Sequence, residues 1–179
     1  PIGDDRVQGG PPALVTMALV AVNVLVFLLE LSQPSPEAVQ SFITAWGVVP
    51  REFAHGADLA PRIPLPFWIT LFTSMFLHGS WMHLAGNMLF LWIFGDNVED
   101  RLGHLRFIGF YLLCGLGASA AHIYFNWGSN VPSVGASGAI AGVLAGYMLL
   151  FPSATIRTLL FLGPFITMTR VPAIIMIGF

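Results

Sequence analysis

The chain is predicted to be an all-α integral membrane protein, a bundle of helices crossing a bilayer. Three observations lead there. Hydrophobic residues fill 56% of the 179 positions and charged residues only 9%, against about 25% charged in a soluble domain. The apolar residues gather in runs long enough to cross the hydrocarbon. The polar residues that interrupt those runs include His78, His83, Asn87 and Ser137; polar groups in a membrane are costly and are usually kept for function.

The length allows one domain, covering residues 1–179. The formal net charge is −2, and the seven basic residues are all arginines, so nothing points to nucleic acid as a partner. The single cysteine, Cys114, lies in an apolar run and excludes an internal disulfide. A signal peptide is not expected, because the first apolar run follows Asp4, Asp5 and Arg6 and is too long for an h-region.

The first span is residues 13–31, about 28 Å at ~1.5 Å per residue. Pro11 and Pro12 precede it, and Pro34 and Pro36 follow. Residues 32–66 form a long first loop carrying Trp46, Arg51, Glu52, His55, Asp58 and Arg62. Its mixture of aromatic, apolar and charged residues predicts that it lies in the membrane interface. Residues 67–94 are too long for one simple span and are interrupted at His78-Gly79-Ser80, with Ser80 suited to cap a helix. Residues 67–77 are therefore expected to dip into the membrane, and residues 80–94 to form the second helix, stopping at Gly95. Asp96, Glu99, Asp100 and Arg101 then lie past that helix and pin it through ion pairs. Further helices are expected over residues 105–125 and 137–151, and a fifth apolar stretch begins at Leu159, broken by Gly163, Pro164, Arg170 and Pro172.

If the spans alternate, Arg6, Arg101, Arg106, Arg157 and Arg170 share one side, and Arg51 and Arg62 the other. Cytoplasmic loops carry the excess of arginine and lysine. The N-terminus is therefore expected in the cytoplasm, and the first loop and the starts of the helices bearing His83 and Ser137 face outward.

Ser137 sits at the mouth of a hydrophobic helix in Gly135-Ala136-Ser137-Gly138. A serine is a weak nucleophile unless a base takes its proton. A helix start supplies unpaired N–H groups and a positive dipole end, which favour an oxyanion. Gly135 allows those N–H groups to face a substrate. Packing is the plainer explanation of the glycines: Gly138, Gly142 and Gly146 recur every fourth residue, a face for close helix contact. The hydrolase elbow Gly-x-Ser-x-Gly is excluded, since position 139 is alanine. His83 and Asn87 share one helix face and can both donate hydrogen bonds to an oxyanion. His78 lies one loop away. Interhelical hydrogen bonds are the bland account of all three. A zinc site would need a further ligand at suitable spacing, and none is expected. Asn23 is expected to bond a neighbouring helix, and the tryptophans to serve interfacial belts or packing. His55, His104 and His122 follow no chemical pattern and are read as packing or exposure.

These residues resemble the rhomboid family of intramembrane serine proteases, over nearly the whole chain. Gly135-Ala136-Ser137-Gly138 looks like the family's nucleophile motif. The segment from His78 through His83 to Asn87 looks like its His-x4-His-x3-Asn motif. Val98-Glu99-Asp100-Arg101-Leu102-Gly103 resembles its Glu-x-Arg segment, and the Trp46 region its first loop. The resemblance implies a six-helix core, of which about five spans are expected in this chain. It implies a Ser–His dyad that needs no cofactor, with Ser137 attacking a peptide bond in a transmembrane segment of a membrane-protein substrate near the outer face. His83, Asn87 and the Ser137 N–H would hold the oxyanion, with His78, Gly135 and Gly138 in support. The family's general base lies on the sixth helix. No histidine follows Ser137 here, so the base and that helix are expected beyond Phe179. A second departure is Ala141, where well-known members carry an aromatic against which the base packs. The alternative is a rhomboid-like pseudoprotease that binds transmembrane helices without cutting them; a channel or transporter would carry polar residues along several spans. A bacterial inner membrane fits the compact layout.

Overall fold

A computed structural model describes residues 3–4, 12–162 and 165–178. Asp5, Arg6, Pro11, Gly163, Pro164 and Phe179, which entered the expectations above, lie outside the described residues. The chain runs through β1 (Gly3–Asp4), α1 (Leu14–Leu31), α2 (Pro36–Trp46) and α3 (Pro50–His55). Next comes α4 (Thr70–Thr73), flanked by 3-10 turns over Phe67–Ile69 and Ser74–Phe76. Then follow α5 (Trp81–Leu102), α6 (His104–Phe125), α7 (Ser137–Leu150), β2 (Thr155–Leu162), β3 (Phe165–Pro172) and α8 (Ala173–Gly178). The chain is a helical bundle in which α7 packs against α5 and α6, and α1 lies on α5. Among the described residues two helices, Leu14–Leu31 and His104–Phe125, are long and apolar enough to cross a membrane. α7 is apolar but shorter.

α1 has no capping side chain of its own. Its first N–H groups, which a helix cannot satisfy internally, are taken by Glu99 of α5. Glu99 accepts from the Val15 N–H at 2.9 Å and from the Thr16 N–H and hydroxyl at 2.7 Å each. This corrects the expected end of the second helix. α5 does not stop at Gly95; it runs to Leu102 and ends at Gly103, whose φ of +78° suits glycine. Gly95 instead lets α1 approach, since a Cβ there would sit 3.0 Å from the Thr16 hydroxyl. Asp96, Glu99, Asp100 and Arg101 therefore lie on α5, not beyond it. Glu99 also contacts His104 Nδ1 at 2.5 Å, so His104 has a partner that the sequence did not announce. Arg101 stands over the Phe151 ring at 5.8 Å. Asn23 is buried; its amide nitrogen donates to the Leu19 carbonyl of its own helix at 2.7 Å, and its side chain also interacts with Tyr111 of the neighbouring α6.

The glycine face of α7 meets α6 as packing predicts. A Cβ on Gly138 would overlap Ala118, one on Gly142 would overlap Cys114, and one on Gly146 would press on Phe110. Those partners are also spaced by four along α6, so the two backbones run close together.

The first loop contains α2 and α3. Ser35 caps α2 by accepting the Ala38 N–H at 3.2 Å, and Pro36 opens the helix. The loop is tied to the segment before Ser137. Val48 and Ser133 exchange backbone hydrogen bonds of 3.0 and 2.8 Å, and the Arg51 N–H donates to the Ser129 carbonyl at 3.0 Å.

The fifth apolar stretch is not one helix; only its end, Ala173–Gly178, is helical. Residues from Thr155 onward form an antiparallel hairpin pairing Thr155 with Pro172 and Leu162 with Phe165, with β1 added on the far edge of β2. The stretch is rich in threonine, isoleucine and phenylalanine, which favour strands. Gly163-Pro164 at its centre is a turn signal that no helix would carry. The bundle thus bears a small sheet, and the expected number of spans is not reached among the described residues.

Candidate functional site

Ser137 is the first residue of α7 and is exposed. Ala136 supplies no side-chain cap, and the first i to i+4 bond runs from the Ile140 N–H to the Ala136 carbonyl at 2.9 Å. The N–H groups of residues 137–139 therefore remain free of helical partners at a positive dipole end. Gly135 turns the chain into this helix with a φ of +119°, and its N–H donates to the Ser74 carbonyl at 2.8 Å. A side chain at Gly135 is excluded twice: by that φ, and because a Cβ would lie 2.7 Å from both Cε1 and Nε2 of His83. Asn87 Nδ2 stands 3.6 Å from the same point. The structure thus brings His83 and Asn87 to Gly135, two residues before Ser137.

His83 and Asn87 owe their positions to α5. Ser80 caps it as expected, accepting the His83 N–H at 3.2 Å. Trp81 packs edge-on against Phe27 of α1, with centroids 4.9 Å apart, and fixes the helix start. His83 is half-buried and Asn87 is 9% exposed. His78 is 1% exposed, and its ring meets that of His83 edge-on at 5.0 Å. Its Nδ1 faces the Phe76 carbonyl at 3.3 Å and its Nε2 faces Asn87 Nδ2 at 3.0 Å. Both contacts are hydrogen bonds only if Nδ1 carries the proton and Nε2 accepts from the amide. His78 is then an acceptor that orients Asn87.

A cavity of about 190 Å³ opens beside Ser137. Ser74, Ser119, His122, Ser133 and Gly138 contribute to its wall. The sequence left His122 as packing or exposure; the structure puts it on this wall, with Nε2 buried and without a hydrogen-bond partner among the described residues. The signal was available, since Gly115, Ala118, Ser119 and His122 recur at three- and four-residue intervals and so share one face of α6. Glu30, at the end of α1, was missed altogether. It accepts the His78 N–H at 3.0 Å from beneath the site. Ala141 is exposed on α7. Among the described residues Ser137 has no histidine hydrogen-bonded to it, and no group of three or more His, Cys, Asp or Glu could hold a metal ion.

Comparison with known proteins points to one family. A profile of the Rhomboid domain matches residues 66–179, well over half of the chain. "Rhomboid-like protein 11, chloroplastic" of Arabidopsis thaliana is 38% identical over 104 residues, 56% of this chain and 37% of that protein. "Rhomboid protease GluP" of Bacillus subtilis (strain 168) is 34% identical over 141 residues, 79% of this chain and 25% of that protein. "Rhomboid protease AarA" of Providencia stuartii is 26% identical over 149 residues, 75% of this chain and 50% of that protein. The chain thus spans half or less of the length of each of these relatives.

Proposed function

The chain belongs to the Rhomboid family and is a multi-pass integral membrane protein; from that premise we propose that it is an intramembrane serine endopeptidase acting on transmembrane segments of other membrane proteins. One observation carries the proposal: His83 and Asn87 converge on Gly135, two residues before a serine that opens a helix. A helix-binding protein without catalysis has no need of donors gathered there. Two of the relatives bear the name protease, which favours the same view.

In the proposed reaction Ser137 Oγ attacks the carbonyl carbon of the scissile peptide. A C–O bond forms, and the serine proton passes to a general base. The negative charge that develops on the carbonyl oxygen is met by the His83 ring, the Asn87 amide and the free N–H of Ser137. Collapse breaks the C–N bond, the amine leaves with the proton, and water then hydrolyses the acyl-enzyme. Gly135 and Gly138 keep side chains away from the reacting centre, and His78 holds Asn87. The cavity beside Ser137 has room for a small substrate side chain next to the cut bond. We place the reaction near the outer face, with the N-terminus cytoplasmic, on the arginine distribution. The first loop, residues 32–66, lies in the interface beside it.

The test is labelling of the full-length protein with a fluorophosphonate, which needs an activated serine but no known substrate. Labelling that disappears in Ser137→Ala is the expected result. Labelling that survives the substitution refutes the assignment of Ser137. A folded protein that takes no label favours the second reading, a pseudoprotease that binds transmembrane helices, for which the lack of a Ser–His pair among the described residues is the supporting observation.

A further inference from the structure

We propose that Glu30 is a positioning residue for the oxyanion site: it sets the chain at His78 and, through the His78 ring, aims the side-chain amide of Asn87. The proposal rests on the reading of Asn87 as an oxyanion donor.

Glu30 stands where local preference opposes it. It is the one charged residue of α1, lies in its last turn next to the negative end of the helix dipole, and is 1% exposed. A carboxyl in such a place costs several kcal/mol unless it is well partnered. A leucine there would make a better helix end. What the carboxyl supplies is an acceptor for one particular donor. His78 follows the 3-10 turn Ser74–Phe76 and precedes the cap of α5, so neither helix offers its N–H a carbonyl. Glu30 Oε1 takes that N–H at 3.0 Å, from 48 residues earlier in the chain. Oε2 is buried and has no partner among the described residues, so the contact to His78 is what the side chain does there.

The consequence passes to Asn87 through the ring. His78 is held at Nδ1 by the Phe76 carbonyl and at Nε2 by the Asn87 amide, 3.0 Å away. An amide nitrogen carries two hydrogens in a plane. Giving one to His78 fixes the direction of the other, and Nδ2 lies 3.6 Å from the Cβ direction of Gly135, two residues from Ser137. If Glu30 releases the His78 backbone, the ring moves and the free amide hydrogen turns from the place where charge develops. A misplacement of about 1 Å is enough to cost catalysis heavily. A residue of α1 thereby enters the chemistry.

The experiment uses the full-length protein and a fluorophosphonate, separating the maximal labelling rate from the half-saturating concentration. Glu30→Leu is expected to lower the maximal rate about tenfold, less than the ~10²-fold loss of removing a donor outright, and to leave half-saturation within about twofold. Glu30→Gln, whose amide oxygen still accepts the His78 N–H, restores most of the rate. In an Asn87→Ala background Glu30→Leu causes no further loss, because the effect runs through that amide. Should Glu30→Leu fail to fold, Glu30→Asp, which withdraws the oxygen by one methylene, takes its place in the same cycle. An unchanged rate, a loss that adds fully to that of Asn87→Ala, or a folded Glu30→Gln as slow as Glu30→Leu overturns the proposal. If Asn87→Ala slows labelling while the Glu30 variants do not, Glu30 alone is misassigned. If Asn87→Ala is itself without effect, or the parent protein takes no label, the reading of the site falls and the role of Glu30 with it.

Discussion

Glu99 Oε2 takes both the backbone N–H and the hydroxyl of Thr16, each at 2.7 Å, although 83 residues separate them in the chain. With Oε1 on the Val15 N–H, one carboxylate does the work that a capping residue does in most helices. Glu99 is 1% exposed, so its removal leaves buried donors with no acceptor. Glu99→Ala should cost about 3 kcal/mol or more, read as a lowered thermal midpoint in detergent. Glu99→Gln, which keeps an acceptor, should lie between. A midpoint unmoved by the alanine would show that α1 does not depend on this cap.

Gly135→Ala should silence the site and spare the fold. The new Cβ would require a backbone conformation that alanine rarely adopts and would press on the His83 ring. Fluorophosphonate labelling is expected to fall by about 100-fold, on the order of one lost oxyanion donor. Labelling within a few-fold of the parent would show that His83 need not stand where it does.

Gly142→Ala tests the packing of α6 on α7. Its methyl group overlaps Cys114, and forcing extra volume into a packed interface costs about 1–3 kcal/mol. Cys114→Ala should recover part of that loss when combined with it. Two single effects that simply add would mean that the helices do not meet through this pair.

Glu52, in the first loop, gives a dependence on pH. It is 4% exposed; burial pushes its carboxyl above the ordinary value, the nearby Asp58 adds to this, and the Leu59 N–H partly opposes it. A carboxyl with a raised pKa binds its proton more tightly folded than unfolded. Its contribution is therefore most favourable below the unfolded value near 4.5 and is lost as pH rises through the folded value. Glu52→Gln should flatten the fall in stability over that window and be more stable than the parent above it. Parallel pH profiles of thermal midpoint for the two proteins would refute this.

Much of the site was legible in the sequence because it depends on short spacings. Ser80 as a cap, His83 and Asn87 on one face, and the glycines of α7 each follow from the helix period. The limits of α1, α6 and α7 fall within about a residue of where the apolar runs place them. What failed were inferences that substituted hydrophobicity for hydrogen bonding. α5 continues past its apolar part because Glu99 has a partner on α1, and no local pattern announces a partner 83 residues away. The stretch after Thr155 is apolar enough for a span, yet its strand-favouring residues pair as an antiparallel hairpin. Glu30 could not be assigned because it matters only through what it faces across the bundle, whereas His122 was legible from the face of α6 that it shares with Gly115, Ala118 and Ser119.

α1 is gripped at both ends by carboxylate-to-backbone contacts: Glu99 holds Val15 and Thr16, and Glu30 holds the chain at His78. A membrane helix ordinarily meets a bilayer of the wrong thickness by tilting. Here tilt would pull one end off its anchor. α1, ~27 Å long for its 18 residues, can therefore tilt only together with the bundle.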